Sequence, residues 1–247
     1  QGGESVSLPK WLVTYGGAKD YKEAYERIRG VKLMPPQKHE VRVKSTLYVS
    51  RDVLDAARGY DLHRCNLFNW MCTMFPEQRV MQVWNEYNVT TDWKGNAVFW
   101  YTDKKGRILH DKRIYYGMDG HRDKDTGAGR KFRVGDGYSG RCYFGEHLIQ
   151  EGRKTAVVES EKTCLLFRLY YNCPVIATGG KGNIRGLMGD YALYPDIDAV
   201  DEWSKDGADV RQWWKDYTDV LGDKADSGDL IVLLCKNKKN DYFCKND

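Results

Sequence analysis

Three acidic side chains in this chain of 247 residues have a spacing that could do chemistry: Glu159, Asp196 and Asp198. Asp196 and Asp198 stand one residue apart in "YPDID". If strand geometry persists through them, side chains at i and i+2 project to the same side and present several oxygens to one hard cation. Mg²⁺ suits such a pair, because it takes one or two carboxylates and keeps its other positions for water and phosphate; Mn²⁺ could stand in its place. Glu159, in "VVESEKT", could complete that site or move a proton, and either role fits phosphoryl transfer. Each piece has a plainer reading. Asp198 could cap a helix running through Trp203, and Glu159 and Glu161 could simply favour the positive N-terminus of the helix that follows them. Lys162 could meet a phosphate or pair with Glu161.

The elements that must position these residues alternate. "TAVVES" reads as a strand, "EKTCLLFRLYYN" as a helix, "PVIATGG" as a strand ending in glycines and "DYALYPDID" as another strand. "VDEWSKDGADVRQWWKDY" contains a helix, and "DLIVLLCKN" fits helix or strand. Strands alternating with helices imply a parallel sheet with crossover connections, and such sheets bind ligands beyond the carboxyl ends of their strands. Those ends carry Glu159, Gly179-Gly180, and Asp196 with Asp198.

Upstream, "NAVFWYTDKKGRILHDKRIYYG" reads as strand, turn at Asp103–Gly106, and strand. Tyr101 to Arg133 holds ten Lys/Arg against five Asp, the most basic part of the chain. Lys104, Lys105, Arg107, Lys112 and Arg113 interleave there with aromatic residues, which favours a surface that tracks phosphates. Gly117 to Gly129 reads as a long flexible connection. Earlier still, "VRVKSTLYVS" alternates like a strand, and "SRDVLDAARGYDLHRCNLFNWMCTMF" suits one or two helices. "AKDYKEAYERIRG" places Tyr21, Ala24, Tyr25 and Ile28 at helical spacing before Gly30. The first 17 residues look loose, and the Pro35-Pro36 break marks the edge of the ordered domain. The expected organisation is a loose segment with one helix (1–37), a basic mixed α+β subdomain (38–150) and an α/β domain with a parallel sheet flanked by helices (151–247).

Hydrophobic content of 41% supports a core, and the net charge of +4 is too mild to imply nucleic acid unless the charge clusters. No apolar run approaches the length of a membrane-spanning helix, and no signal peptide is visible, so a cytoplasmic setting is expected. The seven cysteines include no C-x-x-C pair, which argues against a zinc ribbon or a disulfide framework and for reduced thiols.

"AVVESEKT", "VIATGG" and "ALYPDID", in that order, resemble the toprim domain of bacterial primases, topoisomerases and some nucleases. "AVFWYTDKKGRILHDKRIYY" is similar to the strand-turn-strand that precedes toprim in bacterial (DnaG-type) replicative primases. "CYFGEHLI" resembles the link that follows, and "DKADSGDLIVLL" a later acidic segment. The Glu-x-Glu-Lys form of the motif is most similar to toprim proteins of mobile elements and phages. The likeness covers about residues 60 to 235 and implies a toprim-like Rossmannoid fold. It further implies primase-like nucleotidyl transfer with Mg²⁺ on a single-stranded DNA template, using nucleotides and a possible replicative helicase partner. Glu159 would be the general base or acid, Asp196 and Asp198 the metal pair with Glu159 beside them. Lys104, Lys105, Arg107, Lys112 and Arg113 would face the template, with Lys162 as a further phosphate contact. Ser160 stands where primases usually have Gly, and Ala199-Val200 where they usually have Ala-Gly; both bear on how closely phosphates approach the backbone. Two other readings stay open: a toprim nuclease using water as nucleophile, and a non-catalytic nucleic-acid-binding accessory protein of a mobile element.

Overall fold

The computed structural model describes residues 7–29, 47–126, 128–133, 136–138, 140–184, 187 and 190–205, the side chains of 128, 197 and 205 excepted. The chain divides into two compact units, Gln1–Lys44 and Ser45–Asp247; "DKADSGDLIVLL", "DLIVLLCKN" and the later part of "VDEWSKDGADVRQWWKDY" lie outside the described residues.

The first unit holds two helices. Helix α1 (Leu8–Thr14) carries Pro9 in its first turn, where the missing N–H costs nothing because that donor has no helical partner anyway. It occupies a stretch expected to be loose. Helix α2 (Tyr21–Arg29) fills the periodic segment and buries Ala24. Gly30, Pro35-Pro36 and the first half of "VRVKSTLYVS" lie outside the described residues; in the second unit Leu47 and Val49 make single bridges to Tyr138 and Ile108.

The second unit opens with helices. Helix α3 (Arg51–Ala57) starts at Ser50, whose hydroxyl accepts from the Asp52 N–H at 3.3 Å. A single 3-10 turn (Leu62–Arg64) leads to α4 (Asn66–Cys72), which buries Leu67, Phe68 and Met71. Helix α5 (Glu77–Glu86), which the sequence reading did not place, buries Val80, Val83 and Trp84, the i, i+3, i+4 stripe of a surface helix.

An antiparallel sheet follows, in order β1 (Val89–Thr91), β2 (Ala97–Thr102), β3 (Ile108–Ile114) and β4 (Ala128–Gly129). The turn after β2 is built by Asp103, whose carboxylate accepts from the Lys105 and Arg107 N–H groups at 2.9 and 3.0 Å and from Arg107 Nε at 2.8 Å. Strand β4 lies inside the stretch expected to be a flexible connection. The buried Asp111 carboxylate ties that return in place by accepting the Lys131 and Phe132 N–H groups, both at 2.9 Å. Phe99 pairs with Lys112 and Tyr101 with His110, whereas Val98 pairs with Arg113 and Trp100 with Asp111. Because side chains alternate along a strand, these two sets occupy opposite faces. Phe99 and Tyr101 join the large core, and Val98 and Trp100 a smaller one with Val49, Leu54, Ile108 and Phe132.

The other sheet is parallel and three-stranded, with β5 (Thr155–Val158) between β6 (Val175–Ala177) and β7 (Tyr191–Tyr194). Helix α6 (Glu161–Tyr171) makes the crossover from β5 to β6 and is buried on nearly every side; α7 (Val200–Lys205) follows β7. The fold is thus mixed α/β with a parallel sheet flanked by helices, as the strand-helix alternation requires. Phe144 knits the sheets together: it is fully buried, exchanges two 2.9 Å backbone bonds with Ala177, and meets the Phe99 ring edge-on at 5.5 Å. No described helix is long and apolar enough to cross a membrane.

Candidate functional site

The connection from β5 goes to β6 on one side, and the next strand, β7, lies on the other. A crevice at the carboxyl end of β5 and β7 is therefore the topological switch point, where open α/β sheets bind ligands. Val158 pairs with Tyr194 as the last rung, so Glu159 and the Pro195-Asp196 segment emerge side by side.

Glu159 is locally constrained. Its carbonyl accepts the Gly179 N–H at 2.8 Å, and Thr178 N–H bonds Val158 at 3.0 Å, so the turn after β6 locks the backbone that carries it. Its carboxylate is half-buried, and Oε2 is buried with no hydrogen-bond partner. Burial first, then the negative charge of Asp196 and Asp198, pushes its pKa up to about 7, against the pull of the Lys181 N–H and ammonium.

Asp198 does not continue the strand. Strand β7 ends at Tyr194, and Asp198 sits in a 3-10 turn, Ile197–Ala199, closed by the Ala199 N–H on the Asp196 carbonyl at 2.9 Å. The expectation that strand geometry carries the pair to one side is thus corrected: the turn begins because Pro195 has no N–H to offer a ladder. Asp198 is exposed and pairs with Lys181 Nζ at 3.1 Å. Lys181 opens a 3-10 turn whose carbonyl accepts Trp203 Nε1 at 2.9 Å. The sequence reading missed this lysine, although its position after the strand-ending glycines of "ATGGK" was a usable signal.

Among the described residues, no three His, Cys, Asp or Glu side chains stand close enough to hold a metal ion between them. The donors present are carboxylates only, one with a vacant buried oxygen. They fit a hard cation that takes one or two protein oxygens and leaves the rest to water and phosphate, and they do not fit a closed protein cage.

Glu161 and Lys162 each have contacts of their own. Glu161 is 1% exposed; it accepts from Lys112 Nζ at 2.7 and 3.0 Å and from the Tyr101 hydroxyl. Burial pushes its carboxyl up, but the Lys112 ammonium and the Tyr101 hydroxyl prevail and hold it below the usual range. Gly179 makes room for this cluster: its φ is +74°, and a Cβ there would come within 2.6 Å of the Tyr101 oxygen. Lys162 is 7% exposed, with its ammonium 5.7 Å from the Trp70 ring centre. Ser160, between the two glutamates, is the N-cap of α6 and accepts the Thr163 N–H at 3.1 Å.

The basic residues expected on one template-facing surface are distributed otherwise. Lys104 and Lys105 are exposed at the β2–β3 turn. Arg107 pairs with Asp103 at 2.6 Å and lies 4.5 Å from the Tyr48 ring centre. Lys112 faces the large core and Glu161, while Arg113, on the opposite sheet face, pairs with Asp111 at 2.7 Å and Asp92 at 3.0 Å. The cysteines described, Cys65, Cys72, Cys142, Cys164 and Cys173, are all free thiols.

Among solved structures, the chain is similar to the primase fragment of the bacteriophage T7 primase-helicase protein, with 19% identity and a TM-score of 0.38 over 50% of this chain. It spans 56% of that fragment's length. It is also similar to the zinc-binding and RNA polymerase domains of the Aquifex aeolicus primase, with 15% identity and a TM-score of 0.38 over 94% of this chain and 68% of that one. A third likeness is to the DnaG primase catalytic domain bound to single-stranded DNA, with 16% identity and a TM-score of 0.38 over 92% and 73%. No curated protein matches. One family model does match, over residues 65–188, from just before α4 to beyond β6. It takes in Glu159, Glu161 and Lys162 and stops short of Asp196. That match spans half of the chain, which therefore belongs to the family described as a domain of unknown function, DUF6371.

Proposed function

We propose that this protein is a primase-like nucleotidyltransferase that acts on single-stranded nucleic acid with Mg²⁺ or Mn²⁺. The observation that carries the reading is Glu159: a half-buried carboxyl with a vacant oxygen, raised to about 7 beside Asp196 and Asp198, at the switch point of a parallel sheet. A group that titrates near the working pH is suited to taking a proton from an attacking hydroxyl. Asp196 or Asp198, with Glu159 beside them, would supply one or two oxygens to the metal, which when bound would neutralise charge on the phosphates and orient them. Lys181, paired with Asp198, would be placed to meet phosphate oxygens at the same crevice. Lys104 and Lys105, exposed at the β2–β3 turn, would offer charge to a template. Toprim identity, kinship with mobile-element and phage proteins and a replicative helicase partner belong to the same proposal, on the strength of the motif order; a cytoplasmic setting is proposed with them, on the reduced cysteines.

The test is template-dependent dinucleotide synthesis. The wild type is expected to make dinucleotides with Mg²⁺ or Mn²⁺, and the Asp196→Asn, Asp198→Asn double variant to lose this activity while still binding oligonucleotide. Strand cutting without added nucleotides would replace this reading with the nuclease one. The pairing of exposed Asp198 with Lys181 favours a second reading, a non-catalytic binding protein in which that ion pair is permanent. Oligonucleotide binding with no synthesis under either metal would establish it.

A further inference from the structure

The turn that joins β1 to β2, Asp92-Trp93-Lys94-Gly95-Asn96, takes no part in the crevice and is built with unusual rigidity. Asp92 is buried, and its Oδ1 accepts from the Lys94 N–H at 3.0 Å and the Asn96 N–H at 3.1 Å. Its Oδ2 accepts from Asn96 Nδ2 at 2.9 Å and from Arg113 at 3.0 Å. Gly95 has φ +80°, and a Cβ there would come within 2.5 Å of the Arg64 carbonyl oxygen. What this pinned turn presents outward is Trp93, 65% exposed, with the Lys94 ammonium 4.9 Å from its ring centre. A large aromatic fixed in water contributes little to folding.

Beside it opens a cleft of about 360 Å³ lined by Lys94, Asn96, Arg113, Tyr115, Thr126 and Gly129. The volume lies in the usual range for small-ligand sites. The lining offers the Lys94 ammonium, an amide, two hydroxyls, a glycine and the Arg113 guanidinium, whose charge Asp92 and Asp111 offset. Asp92 and Asp111 engage Arg113 and hold its guanidinium in position.

We infer that Trp93 and this cleft form a nucleotide subsite for single-stranded nucleic acid, in which a base stacks on Trp93 and the adjoining phosphate is taken by Lys94 and Arg113. The inference rests on the nucleic-acid reading above and deepens it. Stacking on an aromatic accepts any base, and a neighbouring cation tracks the backbone. The subsite lies at the Ala97 end of β2, whereas Tyr101, about 13 Å along the strand at the usual rise, reaches Glu161. It is thus a second contact, apart from the carboxylates. A free nucleoside triphosphate has the same chemistry, so the test separates the two sources.

Binding of a labelled oligothymidylate to the full chain is measured by anisotropy at two salt concentrations, alongside ATP binding by calorimetry. Trp93→Ala is expected to weaken oligonucleotide binding by roughly 5- to 150-fold, as loss of one stacked base does, and Trp93→Phe to restore most of it. Lys94→Gln is expected to lower the slope of log affinity against log salt by about one. Trp93 is exposed, so thermal midpoints should match the wild type. Four results overturn the assignment: no oligonucleotide binding by the wild type, wild-type binding by Trp93→Ala, equal binding of an abasic strand, or a loss confined to ATP. None depends on synthesis. Failure of dinucleotide synthesis with Trp93-dependent binding intact removes the catalytic reading and leaves the subsite standing.

Discussion

Two glutamates separated by one residue behave as opposites because their surroundings differ. Glu159 sits among like charges with one oxygen unpartnered, and its folded pKa is raised from 4.5 to about 7. Between those values the folded state holds a proton that the unfolded chain has released, so stability falls as pH rises through the window. Glu161 is held below 4.5 by Lys112 and Tyr101, so its contribution is present above 4.5 and is lost as the solution is acidified. In the presence of a chelator, the wild-type melting temperature is therefore expected to decline from pH 4.5 to 7.5 relative to that of Glu159→Gln, which cannot titrate. Parallel melting curves for the two proteins across that range would show that Glu159 has no raised pKa. The acids of the site were readable from their types and order along the chain. That Glu159 is the poised one and Glu161 the satisfied one was not, since both precede the same helix and only their partners distinguish them.

At the scale of elements, the period of two decides more than the local charge does. "HDKRI" reads as a basic strand, yet alternation turns Lys112 toward the parallel sheet and Arg113 toward the opposite face. Lys112 then becomes a link between β3 and α6. Removing one partner of a buried ion pair leaves an uncompensated charge and costs about 3–5 kcal/mol. Lys112→Met is expected to fall in that range in urea unfolding. Lys112→Met combined with Glu161→Gln should lose less than Lys112→Met alone, because the amide is neutral and still accepts from Tyr101. A double variant as unstable as the single one would mean that the pair does not hold the elements together. Ser160 belongs at this scale too. Its hydroxyl caps α6, a local task that serine performs well and that the sequence reading did not assign to it. Helix α5 escaped sequence reading because its short apolar stripe adjoins the polar stretch before β2.

For the second unit as a whole, Phe144 shows why the halves read separately from sequence are joined. It lies in the link between the antiparallel and parallel sheets, packs on Phe99 and Tyr87, and pairs through its backbone with Ala177. Phe144→Ala is expected to cost about 3–5 kcal/mol, the usual range for a buried aromatic. The loss should appear equally in both halves: under urea, the buried thiols of Cys65 and Cys164 should become alkylated at one common midpoint, shifted together by the substitution. Distinct midpoints for the two cysteines would show that the core is not shared. By itself, the sequence determined the strand-helix alternation, the parallel sheet, the β2–β3 hairpin and the acids at the strand ends, because these follow from periodicity and turn chemistry along a few consecutive residues. Only the tertiary structure decided which charges are spent on one another, that Asp198 leaves the strand, that Lys181 joins the crevice and that Trp93 is held out in water. Those outcomes depend on residues distant in the chain meeting across a face, and burial makes such meetings decisive by removing the water that would otherwise satisfy each charge alone.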